Sequence, residues 1–384
     1  MSNPQRSRIT AMLVKAETTY GEDAGPTGAN AILVTGSPEF TADADKVDRE
    51  IYRDTYSPAG SIVGAKSAKL KVKVEFRGGG WDSVNSKPLA PDYDPLLLAC
   101  GMQKAEVLRV TVDAAGAWAA GETVTGGTST AHGTVEYVER DTLIVLSSVT
   151  GTFEEGETVT GGTSAATGAI TNLVPGLMYR PKTYDVDTMP SSSIRFFKDK
   201  ILHKVAGVIG TWSLTAEVGK LAYLEFELSG LWVDPEDGAI PSLTLVDMTG
   251  PQALAMGMRI GTYMPVANAL KLQLGAKIEK RNDLNGPDGL IGFVITGREP
   301  SGSLDPETDT LAAFNPWSLW KSGAKYRLNG YLGSTAGNRW AVHVGQAQCT
   351  ELKYGERTGL VTYDKTFTPC QERLGDDELR LVLF

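Results

Sequence analysis

Cysteine is scarce in this sequence, and the few cysteines form no recognisable pattern. Three occur among 384 residues, at Cys100, Cys349 and Cys370. Their number is odd, they are widely separated, and no Cys-x-x-Cys pair is present. Neither a framework of disulfides nor a zinc site built on paired cysteines is therefore expected.

Histidine is equally scarce. The three histidines are His132, His203 and His343, and none has a companion at the spacing of a metal-binding pair. His203 and His343 lie in strand-like sequence, whereas His132 lies in an alanine-rich hairpin. We interpret all three as structural or surface residues and predict no metal site.

The sequence also lacks the short motifs that mark common catalytic sites. It contains no Gly-x-Ser-x-Gly elbow, no phosphate-binding loop and no dinucleotide-binding fingerprint. Gly78-Gly-Gly80 is interpreted as a turn, because no helix begins directly after it. A hydrolase fits worst, since no nucleophile–base pair stands out. We expect no enzyme activity and name no catalytic, cofactor-binding or metal-binding residue.

Two acidic clusters have the composition of a general acid–base pair or a calcium site. They are Asp305 with Glu307, and Asp376-Asp-Glu378. Both lie beside proline or glycine in polar turns. We therefore interpret them as solvated loop acids.

Long apolar runs are absent. No stretch approaches the roughly 20 apolar residues that span a bilayer, and residues 1–8 lack the apolar run of a signal peptide. The hydrophobic content of 41% is ordinary for a globular protein, and the length predicts two or three domains. We expect a soluble protein that is made in a cytoplasm and has no membrane partner.

Basic residues are outnumbered, with 37 lysines and arginines against 46 acids and a net charge of −9. The segment 103–175 alone carries three bases and nine acids. No general basic patch for gripping nucleic acid is present. Lys69, Lys71 and Lys73 share one strand face, for which three interpretations stay open: a solvated face, contact with nucleic acid, or pairing with acids of a neighbouring subunit.

Glycine and alternating apolar residues are abundant. The 43 glycines, together with frequent threonine, valine and turn dipeptides, favour many short strands over helices. Residues 65–76 alternate with a period of two, so that four apolar side chains share one face: Leu70, Val72, Val74 and Phe76. This is the pattern of a half-buried antiparallel strand.

A short helix follows this strand, and the same plan recurs near the C-terminus. The segment 94–101 predicts two helical turns with Asp94 as cap, Pro95 at the first position and a left-handed stop at Gly101. Residues 315–323 repeat this order after the strand-like segment 290–296. Two ordinary short helices explain the pattern equally well, but we treat the chain as two similar β-rich units.

An internal repeat lies between these units. Gly121-Glu-Thr-Val-Thr-Gly-Gly-Thr-Ser129 recurs 35 residues later, at 156–164. Such a repeat predicts a duplicated hairpin that forms one small β-domain. Trp118 and Phe153 occupy equivalent positions, which indicates a place in its core. Glycine–threonine turns without a binding role are the plain interpretation.

The N-terminal segment resembles a known family. Lys15-Ala-Glu-Thr-Thr-Tyr-Gly-Glu-Asp23, followed by Pro26-Thr-Gly-Ala-Asn-Ala-Ile-Leu33, is similar to the N-terminal signature of major tail tube proteins from bacteriophages with long non-contractile tails. Residues 295–307 resemble a later stretch of that family, and similar Gly-Glu-Thr-Val-Thr-Gly-Gly repeats occur in phage structural proteins as surface additions. The resemblance implies β-sandwich units with one helix each, arranged in hexameric rings.

From these observations we predict a mainly β fold. It consists of two tandem tail-tube-like β-sandwich or barrel units, each with one short helix, plus a small inserted all-β domain. The first unit comprises 1–102 and 176–240, the surface-exposed insert comprises 103–175, and the second unit comprises 241–384. Polar loops at 41–64 and 297–312 are expected to reach neighbouring subunits or rings.

The predicted function is structural. We expect stacked rings that form the tail tube of a virion and conduct DNA during ejection, because joining sheets between subunits removes every open sheet edge. Three chains with pseudo-sixfold symmetry are favoured over six. Expected partners are other copies of the chain, the tape measure protein and passing DNA in the lumen, and tail terminator and baseplate proteins. No cofactor is expected.

Two alternatives remain at this stage. The segment 103–175 is a candidate glycan-binding or adhesive surface module, for which it offers three aromatic residues, Trp118, Tyr137 and Phe153. A tail-terminator or baseplate ring protein is the other, since those share similar folds.

Overall fold

The computed structural model describes residues 6–58, 60–285, 289–373 and 375–384. Strands account for 56% of the chain and helices for 4%, which confirms the predicted mainly-β fold. The chain alternates between long strands that share one extensive sheet and short connecting segments.

The first half of the described chain contains sixteen strands and one α-helix. In chain order the elements are β1 (Thr10–Ala16), β2 (Ala31–Ile32), β3 (Val34–Asp48), β4 (Ser61–Glu75), β5 (Trp81–Asp82), β6 (Lys87–Pro88), α1 (Asp94–Ala99), β7 (Met102–Val112), β8 (Thr123–Gly126), β9 (His132–Arg140), β10 (Leu143–Thr150), β11 (Thr158–Gly161), β12 (Thr167–Pro181), β13 (Ser192–Lys198), β14 (Ile201–Glu217), β15 (Tyr223–Trp232) and β16 (Glu236–Asp237).

The second half follows a segment that has little regular structure, from Gly238 to Met258. The elements are β17 (Arg259–Ile260), β18 (Ala267–Gln273), β19 (Ala276–Asn282), β20 (Leu290–Arg298), β21 (Ser301–Pro306), α2 (Pro316–Ser322), β22 (Lys325–Leu332), β23 (Trp340–Arg357), β24 (Leu360–Cys370) and β25 (Arg380–Leu383).

The alternating segment predicted at 65–76 forms most of β4. Leu70, Val72, Val74 and Phe76 are buried in the main hydrophobic core, while the lysines between them are exposed. Strand β4 is paired on both sides, with β3 and with β15. The period of two therefore predicted both the strand and its buried face correctly.

Both short helices are present, with one correction. In α2 the Asn315 side chain accepts a hydrogen bond from the Ser318 amide, and Gly323 ends the helix at φ +64°. Gly101 likewise has a positive φ after α1. The predicted cap at Asp94 is wrong: Tyr93 is the N-cap, and Asp94 accepts hydrogen bonds from Lys104 and Tyr179 instead.

Several predicted boundaries also differ from the structure. The loop expected over 41–64 is mostly hairpin, because β3 and β4 remain paired as far as Asp48 and Ser61. The chain turns between β13 and β14, and β14 continues without a break from Ile201 to Glu217. Strands β18 and β19 are separated at Gly275, which has φ +63°, and β20 and β21 occupy much of the loop expected over 297–312. Alternation alone does not reveal where a strand bends or continues past its apolar face.

The central sheet repeats one order of pairing. In the first half β3 pairs with β4, β4 with β15, and β15 with β14. In the second half β18 pairs with β21, β21 with β24, and β24 with β23. The two four-stranded runs join directly, since residues 213–217 of β14 pair with residues 269–273 of β18.

One hydrophobic cluster extends through both halves. It contains side chains of β4, α1 and β15 together with side chains of β18, β22 and β23. The rings of Phe76, directly after β4, and Trp340 of β23 have centroids 4.3 Å apart. The two predicted tube-like units therefore share core residues, and their division at residue 240 stays a prediction.

The six strands β7–β12 form a separate closed arrangement, which we call the β7–β12 barrel. Strand β7 pairs with β10, β10 with β9, β9 with β8, β8 with β11, β11 with β12, and β12 with β7. Trp118 and Phe153 are both buried in its core, as the repeat predicted. Pairing of β12 with β25 connects the barrel to the central sheet.

Two glutamates of the repeat join its two copies through equivalent hydrogen bonds. Glu157 accepts hydrogen bonds from the Thr128 and Ser129 amides and the Ser129 hydroxyl of the other repeat, over 2.8–3.2 Å. Glu122 accepts the equivalent bonds from the Thr163 and Ser164 amides and the Ser164 hydroxyl. Each repeat thus closes a turn of its partner.

The same hydrogen bonds set the ionisation of the two carboxyl groups. Burial by itself raises the pKa of Glu122 and Glu157, but the donated hydrogen bonds outweigh it and leave both pKa values below the usual range. Both groups are therefore ionised acceptors at neutral pH.

Glu122→Ala and Glu157→Ala are each expected to destabilise the whole β7–β12 barrel by about 3 kcal/mol, because backbone donors of the other repeat lose a charged acceptor. Hydrogen–deuterium exchange of the full chain should show faster exchange in both repeats of either variant. Glu155→Ala, an exposed neighbour, is the control and should change neither. Faster exchange confined to the substituted repeat would contradict the exchanged-turn arrangement.

Candidate assembly surfaces

The N-terminal signature segment forms a connection between distant strands. The Glu17 carboxylate accepts hydrogen bonds from the Gly21 and Gly207 amides and from the Ser191 and Ser193 hydroxyls, over 2.6–2.9 Å. These donors belong to the segment itself, to the start of β13 and to β14. A single carboxylate therefore fixes how the N-terminal segment lies on the central sheet.

Tyr20 of the same segment reaches the hairpin formed by β19 and β20. Its hydroxyl donates to the Gly207 carbonyl at 3.1 Å and accepts from the Phe293 amide at 2.7 Å. A Cβ at Gly292 would lie 2.4 Å from the Tyr20 ring, so only glycine fits beneath it. The signature thus packs the first half of the chain against a hairpin of the second half.

Strand β14 and strand β23 occupy equivalent places in the two four-stranded runs but differ at one edge. On the edge of β14 that faces away from β15, residues 201–208 pair with β13 and residues 213–217 pair with β18. On the edge of β23 that faces away from β24, residues 340–348 pair with residues 325–332 of β22. Beyond residue 348, β23 pairs among the described strands with β24 alone.

A second open edge lies at the other end of the run. Strand β3 pairs with β4 over residues 34–48, and among the described strands it has no partner on its other side. The continuous run β3–β4–β15–β14–β18–β21–β24–β23 therefore ends in two strands that each expose one row of backbone donors and acceptors. Such edges pair with another chain unless something covers them.

The lysines of β4 pair within their own chain. Lys69 lies 2.8 Å from Asp43 on β3, and Lys71 lies 2.9 Å from Glu227 on β15. Lys73 Nζ stands 4.2 Å from the centroid of the Tyr223 ring. Of the three interpretations left open by the sequence, a solvated strand face fits best, because all three lysines are exposed and the acids that Lys69 and Lys71 meet lie on neighbouring strands of the same chain.

Twelve of the 24 large apolar side chains that the described residues expose lie at the two ends of the central strands. We call the end of the β3–β4 hairpin, residues 47–58 and 60–63, the hairpin tip. It exposes six large apolar side chains: Val47, Ile51, Tyr52, Tyr56, Ile62 and Val63. The opposite end exposes Val218, Leu254, Met264, Val266, Leu360 and Val361. Patches of this kind mark interaction sites.

The β7–β12 barrel packs on the second half through both apolar and charged groups. The apolar patch joins Tyr137, Leu143 and Val145 of the barrel to Ala341, Val382 and Phe384. Beside it, Arg380 Nε lies 3.3 Å from Glu136, and Arg380 Nη1 lies 2.8 Å from Glu372. The barrel is thus held firmly against β23 and β25.

Because of this packing, several of the acids in segment 103–175 are buried and do not contribute to the surface charge. Four of its nine acids are buried, namely Glu122, Glu136, Glu139 and Glu157. Arg180 lies 3.0 Å from Glu136, and Arg109 lies 3.5 Å from Glu139. The segment therefore presents less negative charge to its surroundings than its sequence indicates.

His343 lies at the centre of this interface. Its ring stacks on Tyr137 with centroids 4.0 Å apart, and its Nδ1 lies 2.5 Å from the Asn329 amide oxygen. Burial lowers the pKa of His343 to about 4, although the Glu372 carboxylate lies 4.0 Å away. His343 is therefore a neutral, structural histidine at pH 7. His203 is also in a strand, β14, and His132 begins β9.

The acidic clusters serve as structural anchors, so their interpretation as solvated loop acids is wrong. Asp305 accepts from the Asn268 and Ala269 amides, and both Asp305 and Glu307 pair with Arg357 at 3.1 and 2.6 Å. Asp376 and Glu378 both pair with Arg298. The sequence conceals these roles because the arginines lie far along the chain.

The remaining sequence features lie in ordinary structural settings. Gly78 and Gly79 approach other backbone segments so closely that a Cβ would lie within about 2 Å of a carbonyl oxygen. The three cysteines are free. Among the described residues no three His, Cys, Asp or Glu side chains are grouped as a metal site. Neither helix in the described ranges is long and apolar enough to cross a membrane.

Comparison with known protein families gives a match over most of the chain. Residues 7–338 match a family model described as phage tail tube protein. The matched range begins before β1 and ends just before β23, so it includes the signature segment, the β7–β12 barrel and the joint between β14 and β18. No curated protein sequence matches the chain.

Tyr20→Phe is expected to destabilise the chain by about 1–3 kcal/mol, because the Phe293 amide is left without an acceptor in a partly buried place. The free energy of unfolding, measured with urea, tests this. Tyr52→Phe, which removes a hydroxyl from a side chain that is 96% exposed, is the control and should stay within about 0.5 kcal/mol. Equal effects of the two variants would show that the Tyr20 hydroxyl has no anchoring role.

His343 makes stability depend on pH in a defined window. Because its folded pKa of about 4 lies below the unfolded value of 6.5, the unfolded chain binds a proton that the folded chain does not. Stability is therefore lost as the pH falls from 6.5 towards 4. Between pH 7 and pH 5 this loss is expected to be about 2 kcal/mol.

His343→Gln separates this contribution from those of other groups. The variant keeps a polar side chain beside Asn329 but no longer titrates in the window. Urea unfolding at pH 7 and pH 5 should show a difference between the two pH values that is smaller by about 2 kcal/mol than in the unsubstituted chain. An unchanged difference would mean that His343 gains its proton without opening the interface.

Proposed function

Since the chain belongs to the phage tail tube protein family and is a structural protein of the virion tail, we propose that it builds a tube. Three copies close into a ring, and rings stack into a tube through which DNA passes. Its synthesis takes place in the host cytoplasm, before assembly into the tail. The tape measure protein and DNA occupy the lumen, and terminator and baseplate proteins meet the ends.

One observation supports the ring. The edge of β14 that faces away from β15 is paired with β18 of the same chain, whereas the equivalent edge of β23 has no partner beyond residue 348 among the described strands. The pairing of β14 with β18 joins the first run of four strands to the second. The same kind of pairing, repeated between residues 349–357 of β23 and β3 of the next copy, joins one chain to another. Three copies then give six similar runs of strands and leave no open edge.

Three chains are favoured over six because each chain already contains two such runs. The matching order β3–β4–β15–β14 and β18–β21–β24–β23 supports a duplicated unit, with α1 and α2 at corresponding places. The proposed domain division is therefore 1–102 with 176–240, the inserted 103–175, and 241–384.

The exposed, charged face of the central sheet is assigned to the lumen. The core and both helices lie on the other side of these strands, and the β7–β12 barrel packs beyond the core on β23 and β25, where a closed ring has more room. The lumen face alternates lysines with acids, as in the Lys69–Asp43 and Lys71–Glu227 pairs. Lysines neutralised in this way grip phosphate weakly, which suits a conduit that DNA must slide through.

The alternative functions receive less support. Trp118, Tyr137 and Phe153, the aromatic candidates for stacking on a sugar, are all buried. Apolar side chains at both ends of the strands favour a ring that stacks on both sides over a terminator that ends a tube.

Assembly of the purified full chain tests the proposal. At rising concentration, mass measurement and negative-stain microscopy should reveal rings with the mass of three chains and then hollow tubes. A six-chain mass would contradict the threefold ring, and a monomer that forms no assembly even beside other tail proteins would contradict the function.

Blocking the open edge of β23 tests the joint itself. The turn between β23 and β24 has two residues, both with positive φ, so Arg357 and Leu360 form a hydrogen-bonded pair and the Glu356 amide points away from β24. Glu356→Pro removes that amide, and ring formation should weaken at least tenfold at each joint while the chain stays folded.

Glu356→Ala is the matched control, since it removes the same side chain but keeps the amide. It should assemble like the unsubstituted chain. Full assembly of the proline variant would show that β23 does not form the joint.

A further inference from the structure

We propose that the hairpin tip of one copy inserts an aromatic side chain into a methionine-lined pocket on a copy in the next ring. This inference rests on the proposed function, because it requires that rings stack, and it specifies the contact that stacks them. The occupant is a second copy of this chain.

The tip is shaped for contact away from its own chain. Residues 61–66 of β4 pair with β3 but not with β15, whose pairing with β4 begins at Ser67. The end of the hairpin therefore extends past the sheet. Tyr52 and Tyr56 are essentially fully exposed there, and tyrosine supplies a large apolar area together with a polar end, as anchors of protein interfaces do.

The pocket lies at the opposite end of the same strands. It is lined by Met256, Met258 and Met264, with Val218, Leu270 and Leu304. Its volume of about 210 Å³ exceeds the roughly 150 Å³ that accommodates a benzene ring in a protein interior. Methionine side chains adapt to irregular partners and make favourable contacts between sulfur and aromatic rings.

The two features face opposite directions along the sheet. Strand β4 leaves the tip at Ser61 and ends at Glu75, which pairs with Tyr223. Val218, at the rim of the pocket, lies in the turn just before Tyr223. About 14 residues of strand, or roughly 45 Å, separate the two ends. When copies stack in the same orientation, the tip of one meets the pocket of the next.

Both partners leave apolar surface uncovered in the isolated chain. The pocket rim exposes Met264, Val266 and Leu254, and the tip exposes Ile51 and Val63 beside the tyrosines. One contact covers both surfaces, which accounts for apolar side chains at places where the rest of the exposed sheet is charged.

A double variant, Tyr52→Ser with Tyr56→Ser, tests the tip. It should form rings of the same mass as the unsubstituted chain, but the concentration at which tubes appear should rise at least tenfold. Met264→Glu should have the same effect from the pocket side. Leu284→Ser, on the turn of the neighbouring β19–β20 hairpin, is the control and should form tubes normally.

A cross-link identifies the pair directly. In a Cys370→Ser background, Tyr56→Cys with Met264→Cys should give a ladder of covalently joined chains on oxidation of tubes, whereas Leu284→Cys with Met264→Cys should not. A ladder from the Leu284 pair instead would overturn the assignment.

The outcomes separate the two proposals. Normal tubes from both the tip and pocket variants would overturn this docking and leave the proposed function intact. Failure of the unsubstituted chain to form rings or tubes would overturn the proposed function and the docking with it.

Discussion

The organisation of this chain depends on the edge of strand β14. The edge strand of an antiparallel sheet has a row of backbone amides and carbonyls that needs a partner. Here the edge of β14 pairs with β18, the first strand of the second run. The consequence is one uninterrupted sheet and one shared core in place of two separate bodies. The signature residues Glu17 and Tyr20 reinforce the arrangement by connecting the N-terminal segment to both sides of the joint.

Local sequence pattern predicted the parts of this fold that depend on local chemistry. The alternation over 65–76 gave β4 and its buried face, and the order of asparagine, proline and glycine gave α2 with both of its ends. The repeat at 121–129 and 156–164 predicted that Trp118 and Phe153 lie in one hydrophobic core, as they do.

Contacts between residues distant in sequence could not be predicted in the same way. The carboxylates of Asp305 and Asp376 looked like loop acids because Arg357 and Arg298, which pair with them, lie some 50 and 80 residues away. The four buried acids of segment 103–175 could not be told from exposed ones, since a glutamate in a strand has the same local pattern in either setting. The edge of β23 is open because no described strand lies beside it beyond residue 348. The alternation of residues within β23 does not indicate whether a neighbouring strand is present.

The position of the β7–β12 barrel would give the proposed fusion of two units a physical advantage on the proposed ring. The barrel follows α1 in the first half of the chain, yet it packs on β23 and β25 of the second half. Tyr137 lies in the apolar part of this contact, and Glu136 pairs with Arg380 of β25. If each unit were a separate chain, this contact would lie between chains and would depend on their concentration. Within one chain the two sides are tethered, so their effective concentration is high before any ring forms. The buried charges of the interface are thus paired at the folding stage, and closure of the proposed ring would need only to join strand edges.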